Sequence, residues 1–111
     1  MGAKHLAEFE LLVLMAAIRL GAAEAYAVAI VEDIEAATGR SVRRANVYTT
    51  LQRLEGKGFI TTRLGDPRSE RGGKARRLVT VEASGVLAVR EATGGILAMW
   101  GGLEALIGDG A

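Results

Sequence analysis

A chain of 111 residues, half of them hydrophobic, is long enough for one domain with a modest core and is not disordered throughout. The absence of cysteine excludes disulfide staples, thiolate zinc sites and cysteine nucleophiles. The net charge of +1 conceals a segregation: residues 40–77 carry eleven basic against three acidic side chains, a local +8, and the remainder sums to −7. A field divided in this way draws a polyanion to one face.

In chain order, Phe9, Leu12, Val13, Ala16 and Leu20 follow helical spacing, and Leu11, Leu14, Met15 and Ile18 fill the other faces. This predicts a buried first helix that stops at Gly21. The same apolar stretch is too short for a bilayer and lies behind Glu8 and Glu10, and no secretion-signal pattern precedes it. A cytoplasmic protein with no membrane partner is expected.

A second helix is predicted over residues 24–38, with Ala27, Ile30, Val31, Ile34 and Thr38 on one stripe. Glu32, Asp33 and Glu35 fall largely on its solvent side, and Gly39 is placed to cap it. A third helix follows over residues 43–57, with Val47, Leu51 and Leu54 as its buried stripe and Gly58 as its end. Two β-rich runs, 59–64 and 76–81, flank a turn-rich, basic stretch that holds the only proline, which reads as a hairpin wing.

The last segment, 83–107, reads as one long helix. Val86, Val89, Thr93, Ile96, Trp100, Leu103 and Ile107 are spaced alternately three and four apart, the pattern of a coiled-coil seam. Val86, Val89, Ile96, Trp100 and Leu103 are the dimerisation candidates. Gly94-Gly95 and Gly101-Gly102 oppose the helix at roughly 1 kcal/mol per glycine, so packing has to hold it. The two pairs recur seven residues apart and mark either a close helix approach or a kink.

No catalytic constellation is present. His5, the single histidine, reads as solvated, and Gly72-Gly73-Lys74 lacks the Ser or Thr and the helix start of a phosphate-binding loop. Neither an enzyme nor a cofactor or metal is expected. The third helix, by contrast, offers Arg43, Arg44, Asn46, Tyr48, Thr49, Gln52 and Arg53, most of them off its apolar stripe. In a helix-turn-helix this element enters the major groove, where Arg reads guanine, Asn or Gln reads adenine and hydroxyls reach base or phosphate. Arg68, Arg71, Lys74 and Arg76, on or beside the wing, suit flanking phosphates or the minor groove. Ordinary strand-face solvation is the other reading for Arg76 and Arg77.

Tyr48-Thr49-Thr50-Leu51-Gln52-Arg53-Leu54-Glu55-Gly56-Lys57-Gly58-Phe59-Ile60 resembles the recognition-helix signature of the PadR family of bacterial transcriptional regulators, a tyrosine followed by "LxRLExKGxI". Glu8-Phe9-Glu10-Leu11-Leu12-Val13-Leu14 and Ala25-Tyr26-Ala27 are also similar to it. So are Gly73-Lys74-Ala75-Arg76-Arg77-Leu78 and Val81-Glu82-Ala83-Ser84-Gly85. The resemblance implies a mainly α (α+β) fold: a winged helix-turn-helix DNA-binding domain over 1–82 and a C-terminal dimerisation helix over 83–111. It further implies a homodimer on a roughly palindromic double-stranded DNA operator, a repressor released by a small molecule or stress signal. Tyr48, Arg71, Lys74 and Arg76 would then touch the DNA backbone. Where the family often has Ser at the third helix, Arg43 stands here, which leaves Ser41 as the nearer capping candidate.

Trp100 supports two readings, a seam residue packed in the dimer core or, with Met99, a stacking site for a planar aromatic effector. The seam position favours packing. For the chain as a whole the alternative is a winged-helix protein–protein module without DNA binding, which the basic third-helix face disfavours.

Overall fold

The computed structural model describes residues 5–66 and 75–108. Its elements are α1 (Glu8–Leu20), α2 (Ala27–Thr38), α3 (Arg44–Gly56), β1 (Ile60–Leu64), β2 (Arg77–Val81), α4 (Ala83–Trp100) and α5 (Leu103–Ile107). The architecture is helix-dominated with one small antiparallel sheet, as the sequence predicts.

Helix α1 is the centre of the core. Val13, Leu14, Ala16 and Ala17 are buried and meet Ile30 and Ile34 of α2, Val47 and Leu54 of α3, and Phe59, Ile60 and Val79 of the hairpin. Each fully buried aliphatic side chain such as Leu14, Ile30 or Leu54 contributes about 1.5–3 kcal/mol. Glu8 and Glu10 place negative charge on the first turn of α1, and Gly21 ends the helix at φ 84°, a backbone region that favours glycine.

Four expectations shift. Helix α2 starts at Ala27, not at residue 24. The Glu24 and Ala25 N–H groups fold back on the Gly21 carbonyl, and the Ala25 carbonyl accepts the Val79 N–H of β2 at 2.8 Å. The chain before α2 is thus held to the hairpin and is not available to the helix. In α3 the fully buried stripe is Val47, Thr50 and Leu54, and Leu51 is only half-buried. Leu51 sits at the edge of that stripe and lines the cleft toward Thr62 and Arg77 of the hairpin. Arg43, not Ser41, is the N-cap of α3, without any side-chain cap.

The fourth shift is the largest: the last segment is two helices. Gly101 (φ −55°, ψ 122°) and Gly102 (φ 80°) break it between Trp100 and Leu103. Gly94 and Gly95 survive inside α4. Helix continues for several residues on both sides of them, and breaking there would forfeit two helical segments. Past Gly102 the helix among the described residues, α5, runs for only five residues, too short to repay two glycines at roughly 1 kcal/mol each.

Strands β1 and β2 pair antiparallel with Ile60 opposite Val81, Thr62 opposite Val79 and Leu64 opposite Arg77. The start of α4 is fixed against them. The Glu82 N–H donates to the Phe59 carbonyl at 2.8 Å, and Ser84 Oγ donates to the Gly58 carbonyl at 2.8 Å. Gly85 is buried, and a Cβ there would lie 2.5 Å from the Phe59 carbonyl oxygen, so only glycine fits. Ala88 and Val89 then pack on the core. No helix among the described residues is long and apolar enough to cross a membrane.

Candidate nucleic-acid interface

The turn between α2 and α3 is held by Glu35, whose carboxylate accepts the Val42 N–H at 2.9 Å. This acid, expected in solvent, therefore fixes the angle at which α3 leaves α2. Arg43, Arg44, Asn46, Tyr48, Thr49, Gln52 and Arg53 are all exposed, so every third-helix candidate lies on the outer surface of α3. Thr49 Oγ1 donates back to the Ala45 carbonyl at 3.1 Å, which leaves its lone pairs outward. The first turn carries no acid.

Not every cation in the basic window faces outward. Lys57, at the C-cap of α3, donates to both oxygens of Glu10, at 2.8 and 2.9 Å, and to the His5 carbonyl at 2.8 Å. Glu10 is almost fully buried. Burial pushes its pKa up, but the Lys57 ammonium, the Ala7 N–H and the Arg53 charge outweigh that and hold it below the ordinary glutamate value. Arg40 likewise pairs with Glu8 at 3.1 Å. Pattern reading cannot find the Glu10–Lys57 pair, because its members stand 47 residues apart.

In the hairpin, successive side chains alternate in face. Arg76 stacks over the Tyr26 ring, its guanidinium carbon 4.2 Å from the ring centre. Arg77 turns the other way and donates to Thr62 Oγ1 at 3.2 Å, and Thr62 Oγ1 donates to Glu55 Oε2 at 3.5 Å. Arg63 reaches the Ala22 carbonyl at 3.4 Å. Arg68, Arg71 and Lys74 lie outside the described residues.

The dimerisation candidates divide. Val86 and Val89 are half-buried, and Val89 rests on the chain's own core. Ile96, Met99, Trp100 and Leu103 line one groove of about 790 Å³ whose opposite wall is Leu6 and Leu11. Met99 is 81% exposed and Trp100 40%. Leu87, Leu97 and Leu106 are also exposed, so the apolar surface of α4 and α5 is wider than the seam the spacing defines.

The family model of the PadR-like transcriptional regulators matches residues 14–91, from within α1 to the middle of α4. The chain belongs to the PadR-like family. Its members are transcriptional regulators, not enzymes. A PadR-family regulator from Eggerthella lenta DSM 2243 is similar in fold, with a TM-score of 0.66 at 22% identity over 92% of this chain and 88% of that one. A transcriptional regulator from Clostridium thermocellum gives 0.68 at 16%, over 89% and 92% of the two chains. The smu.1704 protein of Streptococcus mutans UA159 gives 0.68 at 16%, over 95% and 93%. At these identities the likeness speaks for the fold, whereas membership rests on the family match. No curated protein matches the chain.

Proposed function

We propose that this PadR-like regulator is a DNA-binding repressor that acts as a homodimer on a roughly palindromic operator. The observation that carries the reading is the outer face of α3. Seven polar or cationic side chains, three of them arginines, stand exposed on or at the start of a helix that the core holds from behind. None of the three arginines is placed in the core, so the face is open to base edges and phosphates. Residues 1–82 serve as the DNA-binding unit and 83–111 as the dimerisation unit, with Ile96, Trp100 and Leu103 under the partner. The alternative, a protein-binding winged helix, has no comparable use for an acid-poor arginine face.

Arg68, Arg71 and Lys74 hold flanking phosphates in this reading. A planar aromatic effector is a further element of it: the groove beside Trp100 and Met99 is apolar and open, and it suits a stacked ring. A second copy of the chain fills the same groove equally well. Fluorescence of the single tryptophan separates the two occupants. Saturable quenching by aromatic compounds, with parallel loss of DNA binding, supports an effector. Emission that changes only with protein concentration assigns the groove to the dimer.

The DNA reading is tested by electrophoretic mobility shift with the region upstream of the chain's own gene. Tyr48→Ala, or Arg44→Ala with Arg53→Ala, is expected to abolish the shifted band while leaving the thermal melt unchanged. Retention of the band by both variants places the wrong face on the nucleic acid.

A further inference from the structure

A second surface feature lies beside the α3 face. Tyr48, Leu51, Gln52 and Glu55 on one flank of α3, with Thr62 and Arg77 across from them on the hairpin, enclose a pocket of about 260 Å³. It is smaller than the groove beside Trp100. Two hydrogen bonds order its polar wall. One hydroxyl, Thr62 Oγ1, accepts from the Arg77 guanidinium and donates to Glu55, so Arg77 is oriented from α3 through the strand between them.

We infer that this pocket is a phosphate subsite for the DNA backbone, that Arg77 is its contact residue and that Thr62 is the residue that positions it; the inference rests on the DNA-binding reading above. A helix lying in the major groove has a sugar-phosphate strand on either side. The hairpin packs along one flank of α3, so the cleft between helix and hairpin is where the strand on that side runs. A guanidinium offers a planar fork of donors that matches two phosphate oxygens, and here Arg77 uses one nitrogen on Thr62. Glu55 is the only acid in the lining. Its carboxylate is turned onto the Thr62 hydroxyl, which leaves Arg77 as the one cation of that lining. The neighbouring Arg76 points away, onto Tyr26.

The test is a fluorescence-anisotropy titration of the full chain against two labelled duplexes at a series of salt concentrations. One duplex carries the region upstream of the gene, and the other is of mixed sequence. Arg77→Gln is expected to weaken both by about tenfold, the size of one lost charge-assisted hydrogen bond. It should also flatten the plot of log K against log salt by about 0.9 per bound copy. Thr62→Val is expected to weaken both duplexes severalfold, whereas Thr62→Ser, which keeps the hydroxyl, restores parent affinity. A merely structural threonine would not give that contrast. Arg77→Lys keeps the charge and should retain the salt slope while losing affinity, so the inference stays open to refutation if Arg77→Gln misfolds. Parent-like affinity and slope in both Arg77 variants overturn the subsite alone. Weakening confined to the upstream duplex makes Arg77 a base reader and overturns the backbone assignment. A parent chain that binds neither duplex overturns the DNA-binding reading itself.

Discussion

The two halves of α4 are continuous in backbone and opposite in circumstance. Its first three turns are fixed: Ser84 bonds the Gly58 carbonyl, Gly85 presses on Phe59, and Ala88 and Val89 lie on the core. From Gly94 onward the side chains of the helix and of α5 are largely solvent-facing. Ile96, Leu97, Met99, Leu106 and Ile107 are each at least half exposed. One element thus packs on the core at one end and carries an exposed apolar surface at the other, and the division falls near Thr93. An apolar surface of this extent is a mark of association.

The sharpest way to break this comparison is to end the chain after Thr93. Every core contact of α4 stays, and the exposed apolar half goes. Sedimentation is expected to change from dimer to monomer, with a cooperative thermal melt retained. A truncated chain that still sediments as a dimer moves the interface elsewhere, and one that does not fold makes the second half part of the core.

Next in size is Lys57→Met, which leaves the buried Glu10 carboxylate without its main partner. The expected loss is about 3 kcal/mol by chemical denaturation, because breaking a buried pair strands a charge. The pair also sets an acid limit for the parent. The folded pKa of Glu10 is depressed, so its stabilisation is complete above the ordinary value near 4.5 and is lost as pH falls through the lower folded value. Lys57→Met should show a shallower loss over the same range.

These residues also mark what could be read from the sequence. The α3 face was legible because one helical period separates its apolar and polar sides. The order of helices and hairpin was legible from Gly21, Gly39, Gly58 and the β-rich runs. Thr50 in place of Leu51 was not, since the stripe's rotation depends on where α1 lies. The break at Gly101 was not either, because equal glycine pairs at 94 and 101 meet different fates according to how much helix follows. For Arg77 the sequence leaves strand-face solvation and DNA contact both open, and its place beside Thr62 needs the strand pairing and the Thr62 hydroxyl to be seen.

In the fixed half, Gly85→Ala is expected to cost about 1–3 kcal/mol by overpacking against the Phe59 carbonyl. An unchanged denaturation midpoint there would mean that the start of α4 yields freely. The smallest effect belongs to the exposed half. Nothing lies within 4 Å of a Cβ built at Gly94. Gly94→Ala should therefore raise stability by up to about 1 kcal/mol through helix propensity. A weaker dimer in that variant, measured by sedimentation, instead places a partner helix against that face.

The pairing of Lys57 with Glu10 and of Arg40 with Glu8 bears on how DNA finds the protein. Two of the eleven cations counted in residues 40–77 are neutralised by acids of α1, outside that window. At a distance, the field that captures a polyanion is correspondingly weaker than the local +8 suggests. Among the described residues, the cations that remain stand on α3 or at its start (Arg43, Arg44, Arg53) and on or beside the hairpin strands (Arg63, Arg76, Arg77). If α3 is the DNA-contacting face, as proposed, capture from solution would be slower than for an evenly basic surface of the same composition, but an approaching duplex would be turned toward α3 before contact. On that reading the acids of α1 would act on the orientation of the encounter without touching the nucleic acid.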